Sequence, residues 1–130
     1  MATAIIGKDH YHTELHTSTH ALIADEPNEA GGKDEGPAPH EYLHMALAAC
    51  TAITLRMYSD RKQWTVEKIR VEVTSEKAGN STVFSRQVFV EGEVTEEQRT
   101  RLLQIANACP VHKTLTNPIE INTQLHWKVD

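Results

Sequence analysis

The segment from His40 to about Arg61 constrains this chain more than any other. Leu43, Ala46, Leu47, Cys50, Ile53, Thr54 and Met57 recur at three- and four-residue steps, which puts them on one continuous face of a helix. Pro39 suits the first turn, where its missing N–H costs nothing. Ala46, Ala48, Ala49 and Ala52 keep the middle of this helix thin. A helix so long, apolar and small-sided is expected to be central, with another helix packed closely against it.

The flanking segments read as strands. His10 to His20 carries β-branched and aromatic residues that suit an extended chain, and Ala21 to Ala24 either continues it or pairs back as a hairpin. Asp25 to Gly36 is acidic and Gly-rich, and reads as a solvated loop. Val66 to Glu76 alternates apolar and polar, with Ile69, Val71 and Val73 on one face. After a Gly79-Asn80 turn, Val83 to Val94 alternates again, so the two form a hairpin. Thr95 and Gln98 make a capping box opening a helix that runs through Leu102, Leu103, Ile105 and Ala106 up to Cys109. Pro110 breaks it, a short turn of helix follows to Leu115, and Ile119 to Val129 reads as a last strand. Strands, a long helix, a hairpin, a helix and a strand make an α+β fold. At 130 residues, 1–130 is expected to be a single domain.

A formal net charge of -5 and the lack of a basic stripe argue against nucleic-acid binding, which needs clustered Lys and Arg to neutralise phosphates. No apolar run approaches the ~18 to 20 residues of a membrane span, and MATAIIGKDH lacks the apolar core of a secretory signal. A cytoplasmic protein is expected, with no membrane partner. In that reducing setting two cysteines mean packing, metal or redox chemistry.

Cys50 sits mid-helix among alanines, where a free cysteine packs as a small hydrophobe. Cys109 precedes Pro110, so it takes the capping position if Pro110 opens a helix. A thiolate there is stabilised by free backbone N–H groups, and His112 follows three residues later. This is no CxxC pair: the thiols meet only if two helices pack with their cysteine ends together.

Two motifs carry a resemblance. The first is Gly36-Pro-Ala-Pro-His-Glu-Tyr-Leu-His-Met-Ala-Leu-Ala-Ala-Cys50-Thr-Ala-Ile-Thr, continuing to Lys62; the second is Ala108-Cys109-Pro110-Val111-His112-Lys113-Thr114-Leu115. With the order of elements between them, the chain resembles the osmotically inducible protein C / organic hydroperoxide resistance (OsmC/Ohr) family, in its OsmC-like branch. The resemblance implies an intertwined homodimer with antiparallel sheets wrapped around two central cysteine-bearing helices. It implies a thiol-dependent peroxidase acting on organic hydroperoxides, with Cys50 peroxidatic and Cys109 resolving through an intramolecular disulfide. An external dithiol such as dihydrolipoamide is the implied reductant, with no bound metal, haem or flavin.

The family's studied peroxidases hold the thiolate with an arginine from the N-terminal strands and a glutamate on the cysteine helix. Here no arginine precedes Arg56, which leaves Lys8 or the N-terminal histidines as cations. His40 stands ten residues before Cys50, where the hydroperoxide-resistance branch has its glutamate. Glu41, nine before, is the nearest carboxylate and the third candidate catalytic residue. Nine residues rotate a helix by about 180° against about 280° for ten, so Glu41 is turned from the family position.

The chain has 8 histidines. His10, His12, His16 and His20 share parity with Glu14, so an unbroken strand would present them together, and a turn near Asp9 or after Thr19 would separate them. His40 and His44 are one helical turn apart, a spacing that suits metal ligation, yet the sequence places no third ligand. Trp64 and Trp127 read as packing residues at strand ends, and Tyr42, Leu43, Leu47 and Met57 as core. The alternative to the peroxidase is a non-enzymatic small-ligand or metal-binding or redox-sensing protein on the same fold.

Overall fold

The computed structural model describes residues 1–127. Its described elements are five antiparallel strands and three α-helices, the α+β architecture expected from the sequence. Strands β1 (Thr3–Ile6), β2 (Thr13–His16) and β3 (Ala21–Ala24) form a sheet in that order. Helix α1 runs Pro39–Lys62, followed by β4 (Thr65–Ala78) and β5 (Ser81–Glu93), then α2 (Glu96–Ala106) and α3 (Pro110–Thr116). The described residues group into two compact units. The first holds Met1–Ala49 and Glu72–Gln87; the second holds Cys50–Val71 and the chain from Val88 onward.

In the first unit, β2 pairs with β1 (Thr3 opposite His16) and with β3 (His16 opposite Ala21). Between β2 and β3 the Thr17 N–H donates to the His20 carbonyl (2.9 Å), and the Thr17 hydroxyl accepts from the N–H of Thr19 and His20. The segment is therefore a hairpin, and β1 extends it to a three-stranded sheet. The loop after β3 also differs from the expected solvated connection. Asp25 is buried, and its carboxylate accepts N–H bonds from Tyr11 (3.1 Å), Glu26 (2.7 Å), Lys33 (3.4 Å) and Glu35 (3.1 Å). Burial pushes this carboxyl up, but the four N–H donors outweigh it and hold it below the ordinary aspartate value. Gly32 permits that wrap, because a Cβ there would lie 2.0 Å from the Glu26 carbonyl oxygen.

The second unit holds an apolar core. Leu55, Val66, Leu102 and Ala106 are buried, with Tyr58, Trp64, Ile69, Val88 and Val90 packed on them. Gly92 (φ 136°) lets β5 approach β4, since a Cβ would stand 2.2 Å from the Thr65 carbonyl oxygen. The capping box of α2 forms as expected: Gln98 N–H donates to the Thr95 hydroxyl (3.1 Å), and Thr95 N–H donates to Gln98 Oε1 (3.0 Å).

Three expectations need correction. Helix α2 stops at Ala106 rather than reaching Cys109; Asn107 and Ala108 turn the chain so that Cys109 caps α3. The buried stripe of α1 is Leu47, Thr51, Leu55 and Ser59, whereas Leu43, Ile53 and Met57, expected in the core, are exposed. The stripe follows the four-residue spacing of one helix face. Lastly, residues 118–127 form no strand; Ile119, Ile121, Leu125 and Trp127 are all at least 60% exposed. A strand needs a partner's N–H and C=O groups, and the described chain offers this segment none. The Lys128 and Val129 end of that expected strand lies outside the described residues.

Candidate functional site

Both cysteines fall in the second unit, and both are free thiols. Cys109 is fully buried, while Cys50 is half-buried. The Ala106–Pro110 turn fixes Cys109 as the N-cap of α3 with extended backbone (φ -64°, ψ 138°), and Pro110 fills the first helical position. In that geometry the His112 N–H donates to Cys109 Sγ at 3.3 Å. Thr51, one residue past Cys50, donates its hydroxyl to the same sulfur at 3.9 Å. Cys50 Sγ lies 4.0 Å from Thr54 Oγ1, one turn along α1.

Burial pushes the Cys109 thiol up. The His112 N–H, then the Cys50 thiol, the Thr51 hydroxyl and the Val111 N–H together outweigh that cost, and the thiol lies below its ordinary value. The capping effect expected from Cys109-Pro110 is present, and it comes from backbone donors. What reaches the sulfur from His112 is its backbone N–H. Thr51, which sequence spacing did not single out, belongs to the site; a hydroxyl on the stripe facing the second cysteine was the available signal.

The other candidates lie in the first unit. Glu41 accepts an N–H bond from Ala38 (2.9 Å), which ties down the start of α1, and it lines a recess with Asp34, His44 and Val73. His44 Nε2 is 2.7 Å from Ser75 Oγ, and its ring meets Phe84 edge-on. Glu14 and His16 of β2, with His12 just before it, line a cleft of about 600 Å³ together with Leu22, Ile23 and Met45. His12 Nδ1 is 3.0 Å from Glu35. His10 stacks on Tyr11 and His20 sits in the β2–β3 turn, so turns at both ends remove these two from the shared face. Among the described residues no three His, Cys, Asp or Glu side chains form a group that could hold a metal ion. None of the described helices is long and apolar enough to cross a membrane.

The family model described as OsmC-like protein matches residues 32–124, a span that contains both cysteines. No curated protein sequence matches. Among solved structures, an OsmC-like protein from Mycoplasma pneumoniae is similar with a TM-score of 0.75 and 20% identity, covering 88% of this chain and 85% of that one. An organic hydroperoxide resistance protein from Elizabethkingia anophelis has a TM-score of 0.65 and 19% identity, covering 92% and 89%. An organic hydroperoxide resistance protein OsmC from Legionella pneumophila has a TM-score of 0.66 and 17% identity, covering 89% and 88%. At these identities the likeness is one of fold.

Proposed function

Because this chain belongs to the OsmC-like protein family, we propose that it is a thiol-dependent peroxidase that reduces organic hydroperoxides. One observation carries the reading: beside the half-buried Cys50 on α1, the Thr51 hydroxyl reaches the sulfur of the fully buried Cys109 at 3.9 Å, and that sulfur also accepts the His112 N–H at 3.3 Å. Cys50 attacks the terminal oxygen of the hydroperoxide and becomes a sulfenic acid. Cys109 condenses with it to an intramolecular disulfide before further oxidation, and water leaves. An external dithiol, such as dihydrolipoamide, then returns both thiols. Thiols kept free in this way suit a reducing compartment such as the cytoplasm.

The working form in this reading is a homodimer wound around the two cysteine helices. In the single chain Ile53 (58% exposed) and Met57 (61%) leave one face of α1 open, as the C-terminal segment leaves Ile121 and Leu125. A second copy covers both.

Steady-state consumption of cumene hydroperoxide with dihydrolipoamide as reductant tests the proposal. Wild type is expected to turn over, Cys50→Ser to have no turnover, and Cys109→Ser to react once and then over-oxidise at Cys50. Turnover that survives in Cys50→Ser would refute it.

A further inference from the structure

We propose that the cleft of the first unit binds a small amphipathic organic cation, an ammonium group carried on an apolar body. The proposal is independent of the peroxidase reading, since neither cysteine lines the cleft.

The cleft is built from fixed contacts. Its walls are the β2–β3 hairpin, the end of the loop before α1 and the first turns of α1. The Tyr42 hydroxyl donates to the Ile23 carbonyl at 2.6 Å, which ties α1 to β3. The buried Asp25 carboxylate accepts the N–H of Tyr11, next to His12, and the N–H of Glu35, both at 3.1 Å. The two chain segments that carry the His12–Glu35 pair are thus pinned to one group. The Asp25 N–H donates in turn to the Pro37 carbonyl at 3.1 Å. Gly36 lies directly against β3, where a Cβ would stand 2.5 Å from the Ile23 carbonyl oxygen. A site whose backbone is already fixed loses little freedom when a ligand enters. At about 600 Å³ it falls within the range of roughly 300–1,000 Å³ that small-molecule sites occupy.

The lining selects the ligand. Leu22 and Met45 are exposed, so an apolar body gains by covering them. Glu14 and Glu35 are the acidic lining residues, and no lysine or arginine is among the described lining residues. The Lys33 ammonium, close by in sequence, is paired with Asp9 at 2.8 Å. His12 Nδ1 is 3.0 Å from Glu35 and His16 Nε2 is 3.8 Å from Glu14, so each carboxylate has an imidazole beside it. With the imidazoles neutral, the two carboxylates attract a cation and repel an acid, while an alcohol of the same shape gains the apolar contact alone. Both carboxylates are solvent-exposed, so the ammonium pairs with them while keeping part of its own water.

The experiment is isothermal titration calorimetry of the full chain with phenylbutylamine, phenylbutanol and phenylbutyrate, three probes that share one apolar body. It is run at about pH 8, above the ordinary histidine value of about 6.5. The amine is expected to bind at least about five-fold more tightly than the alcohol, the scale of exposed charge pairs, and the acid more weakly than the alcohol. Glu14→Gln combined with Glu35→Gln should leave amine and alcohol binding alike. Leu22→Lys, which places a cation among the lining residues and removes apolar surface, should weaken the amine further than the glutamine pair does. Equal affinity for the three probes, or a preference for the amine that survives the glutamine pair, would overturn the proposal. So would the absence of heat with any probe at millimolar concentration; in a protein that sediments as a dimer, that result would assign the cleft to the second copy.

Discussion

Leu55→Ala tests the packing that holds α1 in the second unit. Leu55 has no exposed surface and packs in the cluster of Val66, Leu102 and Ala106, with Tyr58 and Trp64 around it. The substitution removes three carbon groups, about 2.4 kcal/mol of burial at about 0.8 kcal/mol each. Large rings close to the vacated space collapse poorly, and the residual cavity adds about 1 kcal/mol. The expected loss is about 3.5 kcal/mol, a large share of a typical stability of about 5–15 kcal/mol. With a urea slope of about 1.5 kcal/mol/M, the unfolding midpoint falls by about 2 M. The assay is urea unfolding followed by circular dichroism at matched protomer concentration, since assembly raises apparent stability. A loss under about 1 kcal/mol would show that Leu55 does not sit in a closed core.

Thr95→Ala removes one half of the capping box and is expected to cost about 1 kcal/mol in the same assay; no change would mean the cap contributes nothing. The Asp25 carboxyl is held below its unfolded value, so its stabilisation is complete above about pH 4, the unfolded range, and is lost as pH falls through the lower folded value. Asp25→Asn should therefore flatten the acid limb of the stability profile, and an unaltered limb would refute the assignment. Met57→Glu puts a charge on the open face of α1 and is expected to abolish the proposed homodimer, giving monomer by sedimentation velocity where wild type sediments as a dimer, with far-ultraviolet dichroism intact; a variant that still dimerises would place the interface elsewhere.

Local signals made much of this fold legible. Pro39, the Thr95/Gln98 box, the Gly79-Asn80 turn and the Cys109-Pro110 step each act within a few residues, and each element begins or turns where they say. What was not legible depends on distant chain. Apolar periodicity selected Ile53 and Met57, yet the second unit buries Thr51 and Ser59, because which face of α1 is covered depends on what packs there. Acidic composition made Asp25 look solvated; four backbone N–H groups from separate parts of the chain satisfy it. The alternation from Ile119 onward suited a strand, but alternation supplies no pairing edge. At the site the sequence indicated both cysteines and the capping of Cys109. The Thr51 hydroxyl bond needed two segments brought together in space.

The most direct test of the account treats reduced protein with less than one equivalent of cumene hydroperoxide, blocks the remaining thiols, and maps the products by non-reducing mass spectrometry. The expected product is an intramolecular bond between Cys50 and Cys109, formed in proportion to the hydroperoxide added and without disulfide-linked dimers. Recovery of both thiols in alkylatable form, or a bond between two chains, would contradict it.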